Sequence, residues 1–491
     1  MLSQIKILAT DTIIYGFFVI IGRFLTFLLT PFYANYMSIE AVGDIINIFS
    51  ILGFLNILFT IGMDSSYFRF YDKNDILYSK KVFSISYYSI LIFSIIISLL
   101  IFIFSKQIYP SITSLKNGQT LVKISAFLPL IDCMMVIPMA HLRMTRKAMK
   151  FALIRFILII IAVTLNILFV TYYKLDAEGV LWAQFISSII GVIILLPEII
   201  KNISFTYDLK LLREMIRFGL PTVPATLSGM ALQVADRPIL KMMTNSDVVG
   251  IYGVNYRLGI PMMLFVSVFE YAWKPFYLSN YEEKDAKKLY ARIFTYFTLM
   301  SASIFLIVSL FIQYLIKIPF IGNESKPTLI PQQYWQGLGI LPIILAGYYF
   351  NGVFNNIAAG FHIQKRTEYL PMAMIIAAII NIGMNIFFIP YFSYWASAWA
   401  TLFAYLASAI ILFIYSRKIY PINFEWGRLA IIILSAIIVY IICIYITKSF
   451  DDLISIVVRL FGLCLFALLL WKFKFFNREE INAIKKILKR N

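Results

Sequence analysis

Charge is scarce in this chain. Asp, Glu, Lys and Arg together make up 14% of the 491 residues, against 61% hydrophobic ones, a balance that excludes an ordinary soluble domain of this length. Cysteine and histidine are scarcer still, with three and two copies. Cys133, Cys443 and Cys464 each fall in an apolar stretch without metal-ligand spacing, so neither a disulfide framework nor a zinc site is expected, and they read as small core residues. His141 and His362 form no metal or catalytic constellation with neighbouring Cys, Asp or Glu and read as surface residues. No Walker loop or Rossmann fingerprint occurs, which excludes nucleotide hydrolysis within the chain. No catalytic residue, metal or cofactor is assigned.

What fills the sequence instead is a succession of fourteen apolar segments, each close to the ~20 residues that a helix needs to cross a ~30 Å hydrocarbon core. They lie near residues 12–33, 43–62, 82–104, 122–141, 151–173, 178–197, 217–240, 249–276, 290–316, 336–361, 368–389, 394–415, 429–447 and 454–471. The first is full length and has no small-residue cleavage site after it, so it reads as a retained anchor. Lys and Arg outnumber Asp and Glu by 43 to 25, and they concentrate in alternate loops: Arg69, Lys73, Lys80 and Lys81, then Arg143, Arg146, Lys147 and Lys150, then Lys201, Lys210, Arg213 and Arg217, and so on to Arg417, Lys418 and Arg428. The intervening loops hold only Lys106, Lys116, Lys123, Lys174, Lys241, Lys317, Lys326 and Lys448. This one-sided bias is a topology signal, not a nucleic-acid footprint, and it places both termini in the cytoplasm.

A repeat runs through the chain at a fixed offset of 207 residues. Pro31 aligns with Pro238, Glu40 with Asp247, and Ala41-Val42-Gly43 with Val248-Val249-Gly250. Six spans separate the copies, so both halves share one orientation, as in parallel-repeat transporters. The expected organisation is an all-α polytopic membrane protein with one six-helix lobe in residues 1–200, a second in 201–420, two further spans in 421–475 and a tail over 476–491. That tail sets Ile481, Ile484, Ile487 and Leu488 among Lys485, Lys486, Lys489 and Arg490, the pattern of a basic amphipathic helix on the inner leaflet.

Phe218-Gly219-Leu220-Pro221, Ala235-Asp236-Arg237, Val249-Gly250-Ile251-Tyr252 and Tyr256-Arg257 follow one another in an order that resembles the opening of the second lobe of Wzx-type polysaccharide flippases. These belong to the multidrug/oligosaccharidyl-lipid/polysaccharide exporter superfamily. Gly22-Arg23 with Pro31, Glu40 and Gly43, the stretch from Gly62-Met63-Asp64 to Arg69-Phe70, and Asn381 to Pro390 are similar to that family as well. Pro238, directly after Arg237, departs from the usual pattern. The resemblance implies two six-helix lobes around a central cavity, plus two extra helices. It also implies movement of an undecaprenyl-pyrophosphate-linked oligosaccharide across the bacterial cytoplasmic (inner) membrane, for O-antigen, capsule or related polysaccharide. The partners implied are that lipid-linked glycan, the bilayer, and the polymerase and glycosyltransferases of the pathway.

Within such a frame the polar residues of the spans become the candidates. A central arginine costs ~2.5–3.5 kcal/mol even on lenient insertion scales, so it needs a partner or a water-filled cavity. Guanidinium is always charged and forks onto phosphate oxygens, which suits Arg23, Arg257 and Arg237 to a pyrophosphate; Arg237 also has Asp236 beside it. Arg155 and Arg459 lie near span boundaries and read as snorkelling side chains. Asp132 stands at mid-span between Pro129 and Pro138, the sequence of a broken helix lining a cavity, and is either a site of H⁺ or Na⁺ coupling or a counter-ion for an arginine. Asp64, Arg69, Glu270, Asn381 and Asn385 are secondary cavity candidates. Glu270 reads equally as a helix-surface ion pair with Lys274, and the two asparagines as glue between helices. Alternatives to the polysaccharide flippase are a lipid II flippase, a cation-coupled drug exporter of the same superfamily and, from another class, a membrane polymerase or ligase. The exporter would favour an acidic cavity, and the enzyme a larger catalytic loop than the stretch from Lys317 to Gln333.

Overall fold

A computed structural model describes residues 21–22, 24–205, 208–320 and 328–476. Among them the chain is all helix, apart from a single bridge between Pro319 and Thr328. Residues 24–36 form α1. The helices that follow are α2 (Ile39–Thr60), α3 (Met63–Phe70), α4 (Ile76–Ile103), α5 (Ser105–Ile112), α6 (Gly118–Met144), α7 (Ala148–Ile167) and α8 (Asp176–Asn202). Next come α9 (Leu209–Gly219), α10 (Val223–Val234), α11 (Asp236–Met243), α12 (Ser246–Arg257), α13 (Ile260–Asn280), α14 (Ala286–Leu315), α15 (Leu341–Ile363), α16 (Tyr369–Phe392) and α17 (Tyr394–Ile419). Two more, α18 (Trp426–Ile446) and α19 (Asp452–Lys472), close the chain.

Among the described residues eleven helices are long and apolar enough to cross a membrane, and twelve when α12 and α13 count as one span bent by 50°. The protein is a multi-pass membrane protein. Two of the fourteen expected spans have no unbroken counterpart among the described residues. The first expected span falls partly outside the described residues, which begin at 21, and the seventh is divided into α9, a 3-10 turn at Leu220–Thr222, α10 and α11, none of which spans alone. Apolarity alone does not reveal such breaks, because a broken helix is as apolar as a whole one. The helices also outrun their apolar windows: α4 begins at Ile76, ahead of Lys80 and Lys81, because a helix continues into the headgroup zone after its hydrophobic stretch ends.

Packing sorts the helices. α2, α4, α6, α7 and α8 pack on one another, as do α10, α13, α15, α16 and α17, while α18 and α19 lie against α14. These neighbourhoods meet where α2 runs along α12, at the face opposite the basic loops. Both helices start alike. Ser38 caps α2 by accepting from Ala41 N at 3.1 Å, and Asn245, 207 residues on, caps α12 by accepting from Val248 N at 3.0 Å. Glu40 and Asp247 sit in the first turns, where the helix dipole favours an acid. On the basic face α3 packs on α9, with Gly62 at φ 69° lying backbone to backbone against Gly219 and Ser66 Oγ donating to Met215 O at 2.6 Å. Only glycine suits Gly62, where both the positive φ and the neighbouring carbonyl exclude a Cβ.

Candidate functional site

The most informative break in the fold is the one between α12 and α13. Gly259 and Pro261 interrupt the helix there, and the two pieces diverge by 50°. The outer piece stays with α2, whereas α13 packs on α14 and α15. Arg257 is the last residue of α12, about 16 Å below its start at a rise of 1.5 Å per residue. Its side chain is partly accessible and lies within electrostatic reach of Tyr33 and Arg237. Its guanidinium makes no hydrogen bond or ion pair with any described residue. An arginine at mid-depth with five free donors is a ready anion site. Arg23 lies outside the described residues.

Arg237 is held differently. It is buried on α11, pairs with Asp236 at 2.7 Å, donates to the Gln233 carbonyl and lies over the ring of Tyr256, 4.2 Å from its centroid. The Tyr252 hydroxyl donates to the other Asp236 oxygen. Asp236, Arg237, Tyr252 and Tyr256 thus form one closed network that fastens α11 to α12 and so fixes the helix that carries Arg257.

On the other side of the interface, α6 keeps its helix through Pro129 and Pro138 and presents Asp132 to α2 and α8. Ser188 Oγ donates to Asp132 at 2.6 Å, the Asn56 amide lies beside it, and the Arg155 charge is felt there. Arg155 itself is exposed and lies over the ring of Phe151. Asp64, at the first turn of α3, and Asp132 both act on the neighbouring Cys133, so the two acids share this part of the structure. Arg69, in the last turn of α3, is exposed. Glu270, on α13, accepts from the Asn355 amide of α15 at 3.0 Å. Asn381 and Asn385 are buried together, and Ser397 of α17 donates to Asn385 at 2.7 Å, so this pair joins α16 to α17.

Several residues lie where the sequence reading did not put them. Lys241, expected in a loop, is buried in α11 and pairs across the interface with Asp44 of α2 at 3.4 Å. Asp44 also accepts from Thr113 Oγ1 and from Ser114 N at 2.9 Å, and Ser246 Oγ donates to it. Above and below this pair the repeat copies touch. A Cβ on Gly43 would sit 1.8 Å from Ser246 O, and one on Gly250 would sit 2.5 Å from Ile39 O. These are the same contact seen from either side of the repeat axis, and Ile46 faces Gly253 in the same relation. The aligned glycines were the available signal: a residue kept small in both copies at a shared axis points to close backbone approach. Arg459 does not snorkel. It is buried between α14, α18 and α19, donating to Leu310 O at 2.5 Å and to Thr447 Oγ1 at 2.8 Å. His141 is likewise buried, 2.8 Å from the Tyr67 hydroxyl and among the rings of Tyr71 and Phe83. Of the cysteines, Cys133 and Cys443 are buried and Cys464 is exposed.

Beside α13 and α14 an apolar groove of about 400 Å³ runs between α15, α17 and α18, lined by Tyr349, Phe350, Leu406, Phe413, Trp426 and Ile433 among others. A second hollow of about 250 Å³ shares Tyr349, Phe350 and Ile433 with it. An apolar groove thus flanks α14, α15, α17 and α18.

Known proteins fit this geometry. The solved structure of the lipid II flippase MurJ, in an inward closed conformation, superposes with a TM-score of 0.72 over 94% of this chain and 99% of its own, at 17% identity. An inward-facing multidrug resistance transporter of the MATE family, from the MOP superfamily, gives 0.62 over 81% and 94% at 14% identity. A MOP-superfamily transporter from Pyrococcus furiosus gives 0.57 over 84% and 94%, also at 14%. At these identities the likeness establishes the fold. No curated protein sequence matches the chain. The family model described as "Polysaccharide biosynthesis protein" matches residues 8–282, more than half of the sequence, and the chain belongs to that family of membrane proteins.

Proposed function

We propose that this protein is a flippase that moves an undecaprenyl-pyrophosphate-linked oligosaccharide across the bacterial cytoplasmic membrane by alternating access. In this reading the basic face, with both termini, is cytoplasmic. The lobes of residues 1–200 and 201–420 rock against each other, with 421–475 alongside; the amphipathic tail expected over 476–491 lies outside the described residues from 477 on. The observation that carries the proposal is Arg257: a charge retained at mid-depth, at the break of a span, with no bond to a described residue. Its fork of donors matches a pyrophosphate, and Arg237 adds positive charge to the same site; Arg23, outside the described residues, is proposed as a pyrophosphate ligand on its sequence alone. The fully paired Arg237 contributes field and orientation more than direct bonds. The apolar groove suits the isoprenoid chain, which leaves water as the headgroup enters the interior. The lobes touch at the outer face through α2 and α12 and at the basic face through Gly62 and Gly219, and in this reading the two contacts open in turn.

Asp132 is the proposed coupling residue for H⁺ or Na⁺, since it is a carboxylate in the membrane interior held by neutral donors from Ser188 and Asn56. Family membership and the transporter folds it resembles support a carrier and not a polymerase or ligase. The fold likeness to MurJ favours lipid II as a second cargo, with the same pyrophosphate and a different glycan. Proteoliposomes loaded on one side with a lipid-linked oligosaccharide, lipid II or a cationic dye decide between cargoes. Pyrophosphate lipids are expected to cross and the dye to stay behind. In Asp132→Asn, transport should persist downhill and lose its response to an imposed ion gradient. Dye export without lipid movement would overturn the reading.

A further inference from the structure

The seal at the outer face is built on the repeat, yet its charge is not. Gly43 meets Ser246 as Gly250 meets Ile39, and Ile46 meets Gly253, each contact joining positions that the 207-residue offset interchanges. Applied to Asp44 and Lys241, the same offset gives Ile251 and Ala34, which are apolar and buried at 6% and 0% exposure. One of two repeat-related positions therefore carries an ion pair, and the other closes without any charge.

A buried ion pair is a weak way to hold two helices together. Desolvation offsets most of the attraction, and apolar or neutral groups of similar shape often hold better, whereas removal of one partner leaves a charge that strongly prefers water. Asp44 and Lys241 are 0% and 6% exposed at the side chain in the closed seal. Asp44 lies in the second turn of α2 and Lys241 in the last turn of α11, just before α12 begins, so parting α2 from α11 and α12 at the outer face returns them to water. Of the remaining hydrogen bonds, those from Thr113 and Ser114 to Asp44 and from Lys241 to Ser246 stay within one lobe, while those from Ser246 to Asp44 and from Lys241 to Ser114 cross the seal and are lost with the ion pair when it opens.

We infer that the Asp44–Lys241 pair is a hydration latch: set on one side of the repeat axis, it keeps the outer seal weak enough to open, and without its charges the seal closes too firmly. The latch does not depend on which cargo the protein carries.

A cysteine at Ile46, buried at 5% exposure against Gly253, reports opening when membrane vesicles are treated with an impermeant maleimide from the outer side. The protein without the added cysteine supplies the background from Cys133, Cys443 and Cys464. Lys241→Met leaves the carboxylate unpaired, and labelling should quicken about tenfold or more. The double variant Asp44→Asn with Lys241→Met keeps the acceptor for Thr113 and Ser114 and removes both charges, and its labelling should fall about threefold or more below the parent. If the Lys241→Met protein fails to accumulate, Asp44→Asn alone, which leaves the ammonium unpaired, should also label faster. A double variant that labels as fast as the parent or faster, or single variants that label no faster than the parent, would overturn the latch.

Discussion

Two arginines within the helical body, the partly accessible Arg257 and the buried Arg459, have opposite surroundings. Arg459, in the corner between α14, α18 and α19, donates to the Leu310 carbonyl and the Thr447 hydroxyl, and the side-chain carbonyl of Gln313 can turn to accept from it as well. Arg257, at the interface where α12 breaks, has no partner among the described residues. The same side chain at the same intrinsic cost of several kcal/mol is thus a helix clamp in one region and, in the proposed function, an anion-binding group in the other. Where the protein supplies every acceptor, the charge holds structure; where it withholds them, an incoming ligand must supply them.

The largest disturbance of this contrast should come from the interface itself. Gly43→Val would press its side chain into the backbone of Ser246, so the outer seal cannot close. Transport should be abolished, and the Ile46 cysteine should label as if permanently open, with a packing cost of about 1–3 kcal/mol. Arg459→Met comes next: loss of charged hydrogen bonds should lower stability by about 1.5–3 kcal/mol, read as a falling midpoint in thermal unfolding of the purified protein, with activity per folded molecule retained. Arg257→Met should do the reverse, leaving the midpoint unchanged or raised while transport is lost. Equal loss of stability in the two variants would erase the distinction between them. At the small end, a methyl group added at Gly383 on α16 would meet no other atom within 4 Å, and Gly383→Ala should raise helix stability by about 0.5–1 kcal/mol without touching transport. A loss of activity there would mean that α16 approaches another surface during the cycle.

Much of the architecture was legible in the order of residues alone. The apolar segments and the charge bias pointed to the membrane fold, and the repeat glycines marked positions that prove to touch. Arg257 and Asp132 stood out because a charge in an apolar run costs enough to need a reason. What stayed hidden was set by partners distant in the chain. Asp44 drew no attention in the sequence and Lys241 read as a loop residue, and only the crossing of α2 and α11 makes them a buried pair. Arg459 read as snorkelling because its acceptors, Leu310 and Thr447, belong to other helices. His141 looked like a surface residue because its aromatic nest comes from α3 and α4. Breaks within the seventh span went unseen because hydropathy averages over them.

If Arg257 is kept free to take a pyrophosphate, binding reveals it without the complications of a transport cycle. The purified protein in nanodiscs would be titrated with an undecaprenyl-pyrophosphate-linked sugar and with undecaprenyl monophosphate, alongside Arg257→Gln and Arg257→Lys. The parent should bind the pyrophosphate lipid more tightly than the monophosphate. Arg257→Gln should lose about tenfold or more in affinity, and Arg257→Lys should recover only part of it, because a point charge replaces a bidentate fork. Equal affinity of the parent and Arg257→Gln for the pyrophosphate lipid would contradict a pyrophosphate site at Arg257.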